Sequence, residues 1–219
     1  SSDLTNSIDK TQIIVDKFKN ANIKLVVNHT RRWNKDIIKF KTELRSDKRR
    51  SLRSINGLYN KGILNNGTHV VDLLYMLFDN IKLISIGNPI YDYSPDDPSI
   101  PFHLETSDNV PININCGNAN DYSLFEFQFV FSNSIICMEN GGESWRERKV
   151  EPSKIYNRFK TLGNGSIWKS DSLKVYEDII NNIHDSIKFN SSINSSGQTA
   201  MLSQKLCNKI LEKAKINSI

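Results

Sequence analysis

The chain has 219 residues, enough for one large domain or for one domain with a remnant of another. Its 38% hydrophobic, 24% charged and 9% aromatic content is ordinary for a globular protein and excludes collagen-like, low-complexity and wholly disordered classes. The net charge of +5 leaves room for an acidic partner, whether nucleic acid, a phosphorylated metabolite or an anionic glycan, without choosing among them. The apolar run Val70 to Phe78 is broken by Asp72 and falls well short of the about 18 residues a membrane helix needs, so no membrane span is expected. Three widely spaced cysteines, Cys116, Cys137 and Cys207, without a Cys-x-x-Cys pair argue against a disulfide framework or a structural zinc. A reduced, cytoplasmic setting is the expectation. The opening Ser1-Ser2-Asp3 has neither an initiator Met nor a signal-peptide pattern, and the chain reads as cut at its front.

In chain order, Ile8, Val15 and Phe18 predict a helix over 5–20, with Thr5, Asn6 and Ser7 available as caps. Ile23 to Val27 is a short β-branched run of the kind that forms a buried parallel strand, and together the two read as the tail of an α/β unit. A polar link, Asn28-His29-Thr30-Arg31-Arg32-Trp33-Asn34, leads to a second helix with Ile37, Ile38, Lys41 and Leu44 on one side. That helix ends in the basic stretch Arg45 to Arg53, and a domain boundary falls near residue 30.

From residue 52 the period becomes two, and Lys61-Gly62 stops the resulting strand. His69 to Phe78 forms a short apolar helix on which His69 and Asp72 share a face. Ile81 to Ile86 is another strand. Residues 88 to 109, with four of the prolines, read as a long surface excursion. Ile112, Ile114 and Cys116, then Phe125, Phe127, Phe129 and Phe131, then Ile135 to Glu139 predict an antiparallel meander whose phenylalanine face covers helices. After a further strand near Trp145 to Val150, two helices close the chain, one with Leu173, Tyr176, Ile180, Ile183 and Ile187, the other with Leu202, Leu206, Ile210 and Ala214. The class is α+β, an open, mainly antiparallel sheet backed by helices.

Three segments in this order carry a family resemblance. They are Val26-Val27-Asn28-His29-Thr30-Arg31-Arg32-Trp33, the run Tyr59-Asn60-Lys61-Gly62-Ile63-Leu64-Asn65-Asn66-Gly67-Thr68-His69-Val70-Val71-Asp72, and the late Ser195-Ser196-Gly197-Gln198-Thr199-Ala200. Together they resemble the Gfo/Idh/MocA oxidoreductases, the glucose-fructose oxidoreductase and inositol dehydrogenase relatives, and the Gly-x-His-x-x-Asp block is the distinctive part. The resemblance implies an N-terminal Rossmann domain that binds NAD or NADP, followed by an open-sheet domain that binds a sugar, polyol or nucleotide-linked sugar and often pairs two subunits. No Gly-x-Gly-x-x-Gly turn is present, so residues 1–30 are read as the tail of the cofactor domain, mostly missing, and residues 31–219 as the substrate-binding and dimerisation domain. The chain then begins just after the family's Glu-Lys-Pro segment with its catalytic lysine, and no cofactor binding is expected of this chain alone.

The resemblance makes His69 the acid/base candidate, since an imidazole of ordinary basicity suits proton transfer from a hydroxyl at neutral pH. Spacing alone reads the same residue as a capped histidine at the start of a buried helix. Asn65 stands where the family has an acid. It is assigned to substrate binding, because an amide cannot act as a base. Arg31 is placed at the cofactor and Arg32 at the substrate, although adjacent arginines read equally as a solvated hinge. Tyr59 and Lys61 are placed along the pocket, with simple packing as the other reading for the tyrosine. Asp72 is expected to hydrogen-bond loop backbone. The cluster Arg45, Lys48, Arg49, Arg50 and Arg53 reads as a solvated helix end, and no nucleic-acid motif accompanies it. The expected partners are therefore a sugar-type small molecule and a second copy of the chain through the sheet face. A noncatalytic sugar-binding or interaction module on the same fold is the alternative.

Overall fold

The computed structural model describes residues 5, 7–46, 51–171 and 173–217. Helix α1 (Ile8–Asn20) leads through an extended run and a 3₁₀ turn (Thr30–Trp33) to α2 (Lys35–Ser46). Strand β1 (Leu52–Tyr59) is followed by a π-turn (Gly62–Asn66) and α3 (Gly67–Leu77). Then come β2 (Ile81–Ile86), β3 (Ile90–Ser94), β4 (Asp97–Ser99), β5 (Phe102–Thr106), β6 (Pro111–Cys116), β7 (Phe125–Phe131) and β8 (Ser134–Glu139). A 3₁₀ turn (Asn140–Gly142), β9 (Ser144–Pro152), β10 (Lys160–Leu162), β11 (Ser166–Lys169), α4 (Lys174–Lys188) and α5 (Gly197–Asn217) complete the order.

Among the described residues nine strands form one sheet in the order β10-β9-β8-β7-β1-β6-β5-β2, with β11 also paired to β9. All its pairings are antiparallel except β1 with β6, which run parallel in the register Ile55↔Ile112. The expected α+β class is therefore found, but the meander is not continuous. Strand β1 is inserted between β6 and β7, facing Phe129 of β7 through Ile55.

Helices α2, α3 and α5 cover one face of this sheet. All four phenylalanines of β7 are buried there, with Ile55, Ile112, Ile114 and the α3 residues Val70, Val71, Leu73, Leu74 and Leu77. On α2 the covering residues are Ile37 and Phe40, the latter 4.6 Å from the Phe129 ring and 5.4 Å from Trp145. Ile38 and Lys41 lie off that face, because Phe40 follows Ile37 at the spacing that points inward. Helix α1 packs on α5, where Thr11 donates to Gln204 Oε1 at 2.9 Å and Gly197 lies against Leu25 and Val15.

Two further expectations are corrected, and one helix face is placed. Ile23 to Val27 is no parallel strand. It makes one antiparallel bridge, Val26 with Ser196, and leaves Ile23 exposed, since no strand among the described residues lies alongside it. Residues 88–109 are no excursion, for they contain β3, β4 and the interior strand β5, with Phe102 and Leu104 of β5 buried and Ile100 buried just before it. Pro89, Pro95 and Pro101 lie between strands and Pro98 lies in the short outlying strand β4, which pairs only with β3, where a missing N–H costs little. Finally, the apolar stripe of α4 is turned to solvent, with Leu173 81%, Tyr176 62%, Ile180 67% and Ile187 79% exposed.

Candidate active site

Two segments meet above the end of β1. The first runs from Val27 to Asn34. Val27 N–H donates to the Ser195 carbonyl, and Asn34 Oδ1 accepts from the N–H groups of Asp36 and Ile37, capping α2. Trp33 is buried and donates from Nε1 to Asn182 Oδ1 at 2.9 Å. Fixed at both ends, this segment sends His29, Arg31 and Arg32 toward α3 and the neighbouring turns.

The second segment is the π-turn. Asn60, buried, receives the Leu124 N–H on Oδ1 at 3.0 Å and donates Nδ2 to the Tyr122 carbonyl. Lys61 and Gly62 then take positive φ of 67° and 81°. The Asp97 carboxylate accepts from Leu64 N–H at 2.7 Å and from Asn65 N–H at 3.0 Å, pinning the turn from β4. A Cβ at Gly62 would fall 2.1 Å from Asp97 Oδ2, so glycine is required both by the backbone angle and by this clamp. Burial raises the Asp97 carboxyl above its ordinary range, and the N–H groups it receives oppose that rise.

The turn delivers His69 to the first part of α3. Its ring lies 5.1 Å from the His29 ring, centroid to centroid. Burial, then the positive charges of Arg31 and His29, push the His69 imidazole down to about 3, while Asp72 pulls the other way. The ring is thus neutral at physiological pH.

Beneath it, Asp72 collects the side chains. His29 Nδ1 is 2.7 Å from Oδ1, Arg32 Nε donates to both oxygens at 3.0 and 2.8 Å, and the Ser203 hydroxyl donates to Oδ1 at 3.3 Å. Burial alone would raise this carboxyl, but His29 and Arg32 hold it below its ordinary value. Its partners are three side chains from two segments, the Val27–Asn34 stretch and α5, and the expected bonds to loop backbone are not among them.

The predicted site residues therefore separate. His69 and Arg31 are neighbours, and Asn65 sits on the same turn, with its backbone carbonyl receiving the Thr68 hydroxyl. Lys61 stands at the head of that turn, where its N–H faces Asp92. Arg32 does not line an open cleft, because its guanidinium is spent on Asp72 and on the Asn194 carbonyl. Tyr59 is likewise a core residue, its hydroxyl giving to and taking from the Ile100 backbone at 2.8 and 3.0 Å. His29, Asn60 and Asp97 were not anticipated as site residues. His29 stood within the resembling motif, whereas Asp97 lay in the proline-rich segment read as an excursion. Of the basic cluster, Arg45 pairs with Asp79 at 2.7 Å, while Lys48, Arg49 and Arg50 lie outside the described residues.

No family model and no curated protein matches this sequence. Solved structures do match. An NAD-binding protein from Listeria innocua aligns with a TM-score of 0.70 and 17% identity over 98% of this chain and 71% of its own. UDP-N-acetylglucosamine 3-dehydrogenase GnnA from Acidithiobacillus ferrooxidans aligns at 0.65 and 10% over 95% and 67%. The transcriptional regulator Gal80p from Kluyveromyces lactis aligns at 0.72 and 12% over 98% and 64%. These are proteins of the Gfo/Idh/MocA type, and the chain has the fold of their C-terminal domain.

Proposed function

We propose that this chain is the substrate-binding part of an NAD- or NADP-dependent oxidoreductase that acts on a hydroxyl of a sugar, polyol or nucleotide-linked sugar. The observation that carries the reading is a neutral imidazole, His69, presented at the start of α3 by a turn clamped from β4 and backed by the Asp72 cluster. The dinucleotide does not fit at the start of α1 or of α5. α1 opens on Ser7-Ile8 without a glycine turn, and the glycine that opens α5 is packed against Leu25 and Val15, so neither helix start can cradle a pyrophosphate. What this chain supplies is the proton half of an alcohol oxidation. A hydroxyl placed against His69 would give its proton to the imidazole lone pair as the carbinol carbon, whose hydride the parent's nicotinamide would take, becomes a carbonyl. Asn65 would hydrogen-bond the substrate without moving a proton.

The test is His69→Asn in the intact parent. Turnover should fall by roughly 10²- to 10⁴-fold while cofactor affinity stays near wild type. Unchanged turnover would sink the assignment. The second reading, a noncatalytic sugar-binding or interaction module, is favoured by the weak basicity of His69 and by the amide at position 65. The similarity to Gal80p, a transcriptional regulator, supports it at the level of fold. A parent that binds sugars but oxidises none would establish this reading instead.

A further inference from the structure

Arg31 carries a half-buried charge with little to balance it. Among the described residues its guanidinium makes one hydrogen bond, from Nε to the Gly141 carbonyl at 3.0 Å, and stacks 3.6 Å above the Phe125 ring. Asp72 is the acid whose field reaches it, yet the oxygens of Asp72 are occupied by His29, Arg32 and Ser203. Taking a guanidinium even partly out of water without an anionic partner is costly, and here burial lowers this strong base to about 10. The side chain nonetheless lines a cavity of about 280 Å³ with Thr30, Asn34, Asn140, Gly141 and Tyr176, near the lower end of small-ligand sites. Glu143, also on its wall, is solvent-exposed. Gly141 leaves the space the guanidinium uses. It has φ of 68°, and a Cβ there would sit 2.8 Å from Arg31 Nη2.

We propose that Arg31 is the specificity residue of this site, its planar fork taking the carboxylate or phosphate of an anionic sugar, so that the substrate is a sugar acid or sugar phosphate and not a neutral sugar. The inference rests on the proposed function for the kind of molecule that meets His69, and it adds the molecule's charge. An anion at Arg31 would also offset one of the positive charges that now depress His69.

Calorimetric titration of residues 1–219 tests it, with D-glucuronate, D-glucose 6-phosphate, inorganic phosphate, D-glucose and NADH as probes. The anions should bind, and glucose at least about tenfold more weakly, as expected for the loss of a charge-assisted contact. Arg31→Met should weaken the anions by roughly 10- to 100-fold and leave glucose unchanged, while Arg31→Lys, keeping the charge without the fork, should fall between. Far-UV circular dichroism confirms that both variants fold. The proposal is overturned by failure of all three sugar-type and phosphate anions to bind, by glucose binding as tightly as they do, or by wild-type anion affinity in both variants. Arg31-dependent binding of NADH tighter than either sugar anion also overturns it, by giving the anion site to the cofactor. A parent that binds glucuronate through Arg31 but oxidises no sugar would leave this site standing and remove the oxidoreductase reading instead.

Discussion

Asp72 and His69 sit one helical turn apart and are pulled in opposite senses by their surroundings. The carboxylate is held charged by His29 and Arg32, and the imidazole is held neutral by burial and by the same cationic neighbourhood. For His69, an unfolded chain takes up a proton below about pH 6.5, whereas the folded chain resists it until about 3. The unfolded state therefore binds more protons in that window, and stability falls as the pH is lowered through it, by up to about 1.4 kcal/mol per pH unit from this residue. Denaturant unfolding at pH 7.5 and 4.5 should show this loss in the wild type and a clearly smaller one in His69→Gln. Equal losses would mean that the ring titrates normally. That His69 and Asp72 share one face was legible in the sequence because both lie on one short helix. The place of His29 was not, since its partner belongs to another segment and local spacing says nothing of such contacts.

Among the elements, α4 is where pattern and packing part most clearly. Leu173, Tyr176, Ile180, Ile183 and Ile187 follow helical spacing faithfully, and that spacing was enough to predict the helix. It could not say what covers the stripe. The helix buries Val175 and Ser186 instead, and it is held by Lys35 to Asp178 at 3.0 Å and by Asn182 to Trp33. Ile180→Ala should therefore change the stability of this chain by no more than about 0.5 kcal/mol. Ile210→Ala, in the buried face of α5, should cost about 2–5 kcal/mol. Urea midpoints for the two variants check the contrast, and a large loss at Ile180 would show that the stripe is covered in solution. β5 failed to register for a related reason. Pro98 and Pro101 bracket the short run before it, and they punctuate the sequence more strongly than Phe102 and Leu104 mark a strand.

At the scale of the whole molecule, the phenylalanine face was readable because the alternation in β7 is strict, whereas the strand order was not, since register between distant segments leaves no local trace. The opposite face carries Leu58, 42% exposed, and Ile84, 49% exposed, amid Asn56, Asn113 and Gln128. We expect this face to pair two copies about a two-fold axis, so that light scattering reports a dimer and Leu58→Glu returns a folded monomer. A wild-type monomer at high protein concentration would refute the pairing. The insertion of β1 between β6 and β7 also sets an order of assembly. β7, β8 and β9 are successive antiparallel neighbours and can zip locally, but β1 must await partners at Ile112 and Phe129, far along the chain. In chevron measurements Ile136→Val in β8 should mainly slow folding, and Ile55→Val in β1 should mainly speed unfolding; the reverse partition would place β1 in the nucleus. Because the π-turn that delivers His69 follows β1 directly, the turn takes shape with the last strand to dock, and a partly folded form of this chain is expected to have much of its sheet before His69 is in place.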